Sequence, residues 1–101
     1  MGIDAQLEDE EGKQIQFCSD AAGTFGRLLT ASDLSGSTCL RFIDPYGNTV
    51  FNRAQSAVLI EELQAFRASA DPATAAFIDN VLRFANTASR SPHHYLRFIG
   101  D

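Results

Sequence analysis

Ile3-Asp4-Ala5-Gln6-Leu7-Glu8-Asp9-Glu10-Glu11-Gly12-Lys13-Gln14-Ile15-Gln16-Phe17-Cys18 reads as two strands joined by an acidic turn. Ile3, Ala5 and Leu7 alternate with Asp4, Gln6 and Glu8, and the alternation resumes with Ile15 and Phe17 among Gln14, Gln16 and Cys18. A period of two sends successive side chains to opposite faces, so each segment is a half-buried strand. Gly12 can supply the positive φ that the loop between them needs. A chain that begins with a hairpin has an antiparallel pair to build on, and the rest of the sequence extends it.

Ser19 or Asp20 can cap a short helix whose Phe25, Leu28 and Leu29 fall at i, i+3 and i+4, weakened by Gly23 and Gly26. The turn formers Ser32 to Ser37 separate it from Cys39-Leu40-Arg41-Phe42-Ile43, which has the composition of a strand. Asp44-Pro45-Tyr46-Gly47-Asn48 matches a type I turn with Gly47 at positive φ, and Thr49 to Arg53 is the returning strand. Gln55 to Ala68 is an amphipathic helix bearing Leu59, Leu63 and Phe66. Asp71-Pro72 then starts a longer one, with Phe77, Ile78, Val81, Leu82 and Phe84 on one side and an Asp79 to Arg83 pair on the other. His93 to Ile99 is the last strand.

The order ββαββααβ predicts an α+β fold, a largely antiparallel sheet of about five strands carrying three helices on one face. Leu40-Arg41-Phe42-Ile43 recurs as Leu96-Arg97-Phe98-Ile99, which suggests two strands in equivalent settings, Leu and Phe toward the helices and Arg and Ile away. The expected core is Leu40, Phe42, Leu59, Leu63, Phe66, Phe77, Val81, Phe84, Leu96 and Phe98.

With 101 residues, 45% of them apolar and 21% charged, the chain suits a single globular domain over 1–101 that needs neither a disulfide nor a metal. The absence of a basic leader and of long apolar runs points to a cytoplasmic protein without a membrane span. Cys18 and Cys39 form no CxxC and are expected as free thiols. A net charge of −5 disfavours nucleic acid as the partner and suits a protein with a basic surface.

No phosphate-binding, nucleophile-elbow or zinc-protease motif occurs, so no catalytic residue, cofactor or metal is assigned and the chain is read as a non-enzyme. His93 and His94, adjacent on a strand, would point to opposite faces and share no metal easily. Glu62, at the margin of an apolar helical arc, either has a raised pKa through desolvation or reaches solvent. Two surfaces are the candidate binding sites. One is the sheet face away from the helices, bearing Arg41, Tyr95 and Arg97 with Asp4, Gln6 and Gln16 beside them, because Arg and Tyr are frequent interface anchors. The other is the acidic tip Glu8-Asp9-Glu10-Glu11, which could steer a basic partner.

The segment Leu40-Arg41-Phe42-Ile43-Asp44-Pro45-Tyr46-Gly47-Asn48-Thr49-Val50-Phe51-Asn52, with Tyr95 to Asp101, resembles a pattern in small uncharacterised bacterial proteins to which no activity attaches. In size, acidity and α+β layout the chain is similar in type to immunity proteins, which neutralise toxins by binding them, although no motif carries over. The functional expectation is therefore a protein-binding domain, immunity-like, that inhibits a basic toxin or enzyme. The alternative is a regulatory domain that binds a small molecule or anion through Arg41 and Arg97. The open sheet face could also join two copies of the chain.

Overall fold

The opening hairpin forms in the computed structural model, which describes residues 2–101, but its second strand does not keep the phase that alternation suggested: β1 (Asp4–Asp9) pairs antiparallel with β2 (Gln14–Cys18), whose Ile15 and Phe17 are exposed. Gly12 takes φ 82°, and the Asp9 carboxylate closes the turn by accepting from the amides of Glu11 and Lys13, both at 2.9 Å. There follow α1 (Thr24–Ala31), a 3-10 turn at Leu40–Phe42, β3 (Asn48–Phe51), α2 (Arg53–Arg67), α3 (Pro72–Ser89) and β4 (His94–Ile99). The fold is α+β, with three helices against an antiparallel sheet ordered β2-β1-β4-β3.

The sheet has four strands where about five were expected, because Cys39 to Ile43 does not extend. Glu62 explains why: its carboxylate collects the amides of Thr38, Cys39 and Leu40, which a strand would have offered to a ladder. In the resulting 3-10 turn, residues three apart share a side. Leu40 and Ile43 are therefore the buried pair, while Phe42, expected in the core, is 61% exposed with the Arg41 guanidinium 4.8 Å from its ring centre. The same four residues at Leu96 to Ile99 have strand neighbours on both sides and lie extended, with Leu96 and Phe98 fully buried.

Gly47 also departs from expectation. Its amide closes the turn onto the Asp44 carbonyl at 3.4 Å, but its φ is not positive; among the described residues only Gly12 and Gly23 have that geometry. What Gly47 supplies is room, since a Cβ there would sit 2.7 Å from Asp44 Oδ2. The turn is held from the far side by the end of the chain. Gly100 N donates to Gly47 O at 2.7 Å and Asp101 N to Pro45 O at 3.0 Å, prolonging the β3–β4 ladder.

Each helix start has its own device. For α1 it is Asp20, whose buried carboxylate accepts from Phe25 N at 3.1 Å and Gly26 N at 2.9 Å and also from Ile3 N at 3.2 Å, tying the helix to the start of the sheet. Asn52 and Gln55 form a reciprocal capping box on α2, and Asp71 caps α3 through Thr74 N at 2.7 Å, with Pro72 in the first turn. Asp79 pairs with Arg67 of α2 in a two-pronged contact, 2.7 and 3.0 Å, and not with Arg83 as the i,i+4 spacing suggested; Arg83 turns to Asn80. The two parallel charge-assisted bonds that Arg67 makes outweigh the weak surface pairing that an i,i+4 neighbour offers. Between helices and sheet, Phe25 stands among Phe77, Phe98 and Phe66, at ring distances of 4.9, 6.2 and 6.1 Å. Apart from Phe42 and the half-buried Phe66, the expected core residues are buried in one contiguous cluster.

Candidate functional site: the outer face of the sheet

The helices cover one face of the sheet and leave the other open. Strand pairing sets what that open face carries. Phe17 lies opposite Gln6, Gln6 opposite Arg97, and Arg97 opposite Val50, so these four form a row from edge to edge. Glu8 and Tyr95 are opposite each other one step along, and Asp4, Ile99 and Asn48 align one step the other way.

Gln16 was expected here beside Asp4 and Gln6, and it is not. It lies opposite the buried Leu7, and Phe17 takes the outer position instead. The cause is the register of the hairpin: a bulge beside Leu7 and Glu8 makes Ile15 an extra residue in β2, which inverts the facing inferred from alternation alone. Phe17 is consequently 47% exposed and Val50 41% exposed, one on each edge strand.

The middle of the face is a closed polar network. Arg97 grips Glu8 with both arms of its guanidinium, Nε to Oε2 at 2.8 Å and Nη2 to Oε1 at 3.1 Å, and Gln6 Nε2 donates to the same Oε2 at 2.8 Å. Glu8 is only 3% exposed, and the hydrogen bonds it accepts hold the Arg97 proton more firmly despite partial burial. A carboxylate this dry is tolerable because a forked cation satisfies both oxygens.

The residues singled out from sequence thus divide. Tyr95 and Arg97 share the open face; Arg41 does not join them, because it belongs to the 3-10 turn. The two guanidiniums proposed for an anion are therefore not brought together, and that of Arg97 is already occupied by Glu8. Of the acidic run, Glu8 is engaged with Arg97 and Asp9 with its own turn, Glu10 meets His93 Nδ1 at 3.0 Å, and Glu11 is exposed. His93 sits in the turn before β4 and His94 opens the strand, with its Nδ1 buried and unpartnered. Phe17 and Val50 were the functional candidates missed, and only a correct hairpin register could have exposed Phe17.

Glu62 follows neither of its expected outcomes. Desolvation pushes its carboxyl up, but the amides of Thr38, Leu40 and Cys39 and the charge of Arg41 outweigh it and hold the group below the ordinary glutamate range. Both cysteines are free and buried: burial raises the Cys18 thiol against the pull of Asn80 and Arg83, and burial followed by the Glu62 charge raises Cys39. Among the described residues no three His, Cys, Asp or Glu side chains are grouped to hold a metal ion, and no helix is long and apolar enough to cross a membrane. Comparisons with protein-family profiles, curated proteins and solved structures give no match.

Proposed function

We propose that this protein is a non-enzymatic binding domain, immunity-like in type, whose working surface is the outer sheet face and whose partner is a protein with apolar groups ringed by basic ones. The observation that carries this reading is Phe17 and Val50 in water on either flank of the Gln6, Glu8 and Arg97 network. Apolar side chains left on a sheet face, with an aromatic residue among them, have the makeup of an interface core. The ions at the centre are already paired, so covering them strands no charge. At the end of the sheet, Glu10 and Glu11 provide an exposed acidic rim suited to guiding a basic surface into place.

Affinity capture from cells, followed by surface-bound kinetics on the partner obtained, tests the reading. Phe17→Ala and Tyr95→Ala should raise the dissociation rate, each weakening binding by about 2 kcal/mol. Reversing Glu10 and Glu11 to Lys should act on association and its salt dependence. Binding that none of these changes alters places the working surface elsewhere.

A further inference from the structure

We infer that the outer sheet face is a homodimer interface and that the surface covering it is a second copy of this chain. The inference rests on the reading of that face as an interaction surface; the second copy covers it in the free protein, and a basic partner would have to displace that copy to bind there.

Strand order supplies the geometry. β2 and β3 are the two edges, with β1 and β4 between them. A two-fold axis lying in the interface, parallel to the strands and midway between β1 and β4, sets each β1 over β4 of the other copy and each β2 over β3. Packed sheets adopt such near-aligned crossings about 10 Å apart. Phe17 of each copy then meets Val50 of the other, twice over, because a two-fold interface repeats every contact. The polar network of each copy faces the other with its bonds already made.

Local charge complementarity favours a second copy and chooses the axis, against the net charge of −5 that each copy carries. Asp9 pairs with His94 and Phe51 with Leu96, so the acidic turn and the start of α2 lie at the same end of the sheet. The turn stands on the β1–β2 side. On the β3 side stands Arg53, exposed, without an ion pair among the described residues, and lining a depression with Tyr95. The rotation that lays Phe17 on Val50 also carries Glu10 and Glu11 toward Arg53 of the second copy. An axis across the strands instead brings the acidic turn to the Asp4 end of the other copy, acid against acid. One symmetry operation thus satisfies both the apolar and the ionic halves of the face.

Sedimentation velocity of the full chain from micromolar to millimolar concentration tests this. The expected result is a monomer–dimer equilibrium, with Phe17→Asp weakening it at least about tenfold. Arg53→Glu and the pair Glu10→Arg with Glu11→Arg should each weaken it several-fold, and combining the two changes should recover most of the loss. Phe17 and Arg53 are exposed, and an acid in the first turn of a helix is favourable, so these variants keep the fold; circular dichroism and melting of each monomer check that. A wild-type chain that stays monomeric throughout overturns the inference, as does a dimer indifferent to Phe17→Asp and Arg53→Glu. A monomeric chain that binds a basic heterologous protein, and loses it with Phe17→Asp, overturns the homodimer while leaving the face as the interaction surface. If that variant disturbs neither kind of binding, both readings fall.

Discussion

Glu62 does more for the local structure than its place on an amphipathic helix suggests. Three consecutive amides, Thr38 to Leu40, converge on one carboxylate and fold a segment of strand-like composition into a 3-10 turn. Hydrogen bonds to a charged acceptor contribute more than neutral ones, so Glu62→Ala should lower stability by roughly 1–3 kcal/mol. The pH dependence follows from the direction of the shift. A carboxyl held below its ordinary value in the folded state contributes stability that is fully present above the unfolded value and is lost as pH falls through the folded one. Urea denaturation of wild type and Glu62→Gln between about pH 7 and about pH 3 should show a gap that closes on the acid side. A gap independent of pH, or none, rules this out.

At the level of elements, the end of β4 and the Asp44 to Gly47 turn act as one unit, and glycine permits it. A Cβ on Gly100 would lie 2.5 Å from the Pro45 carbonyl carbon and 2.6 Å from the carbonyl oxygens of Asp44 and Pro45, all of them backbone atoms that no rotamer can move. At Gly47 the obstacle is the tip of the Asp44 side chain. Gly100→Ala should accordingly cost about 1–3 kcal/mol, the range for forcing extra volume into a packed site. Gly36→Ala has nothing within 4 Å and should stay within about 0.5 kcal/mol of wild type. Thermal denaturation of the two variants measures the difference, and hydrogen exchange should show the Gly100 and Asp101 amides losing protection in the first alone. Equal midpoints for the two variants contradict the clasp.

On the scale of the whole molecule, the Glu8 and Arg97 pair joins β1 to β4 from the side the helices leave open. Removing the cation strands a carboxylate that is 3% exposed, so Arg97→Ala should destabilise by roughly 2–3 kcal/mol. That figure sits below the cost for a fully dry pair because the Arg97 side chain keeps 28% of its exposure. Replacing both residues by Leu should recover most of the loss, since no buried ion is left behind and only the half-buried Gln6 amide loses its acceptor. A double-mutant cycle read by chemical denaturation distinguishes this from simple loss of packing, which the double variant would deepen.

Local periodicity determined a good deal of this protein. The existence of the two opening strands and their antiparallel pairing, the Asp71 cap with its proline, the inward Leu96 and Phe98, and the α+β class all follow from local side-chain spacing. The tertiary structure decided the rest wherever a distant group competed with a local preference. Glu62 lies more than twenty residues from the amides it takes out of the sheet, and Arg67 is twelve from the Asp79 it claims. The outer face was legible only in part: Tyr95 and Arg97 follow from the phase of β4, whereas Phe17 depends on one extra residue in β2. A single insertion in a strand inverts its two faces, and alternation reads the same in either phase.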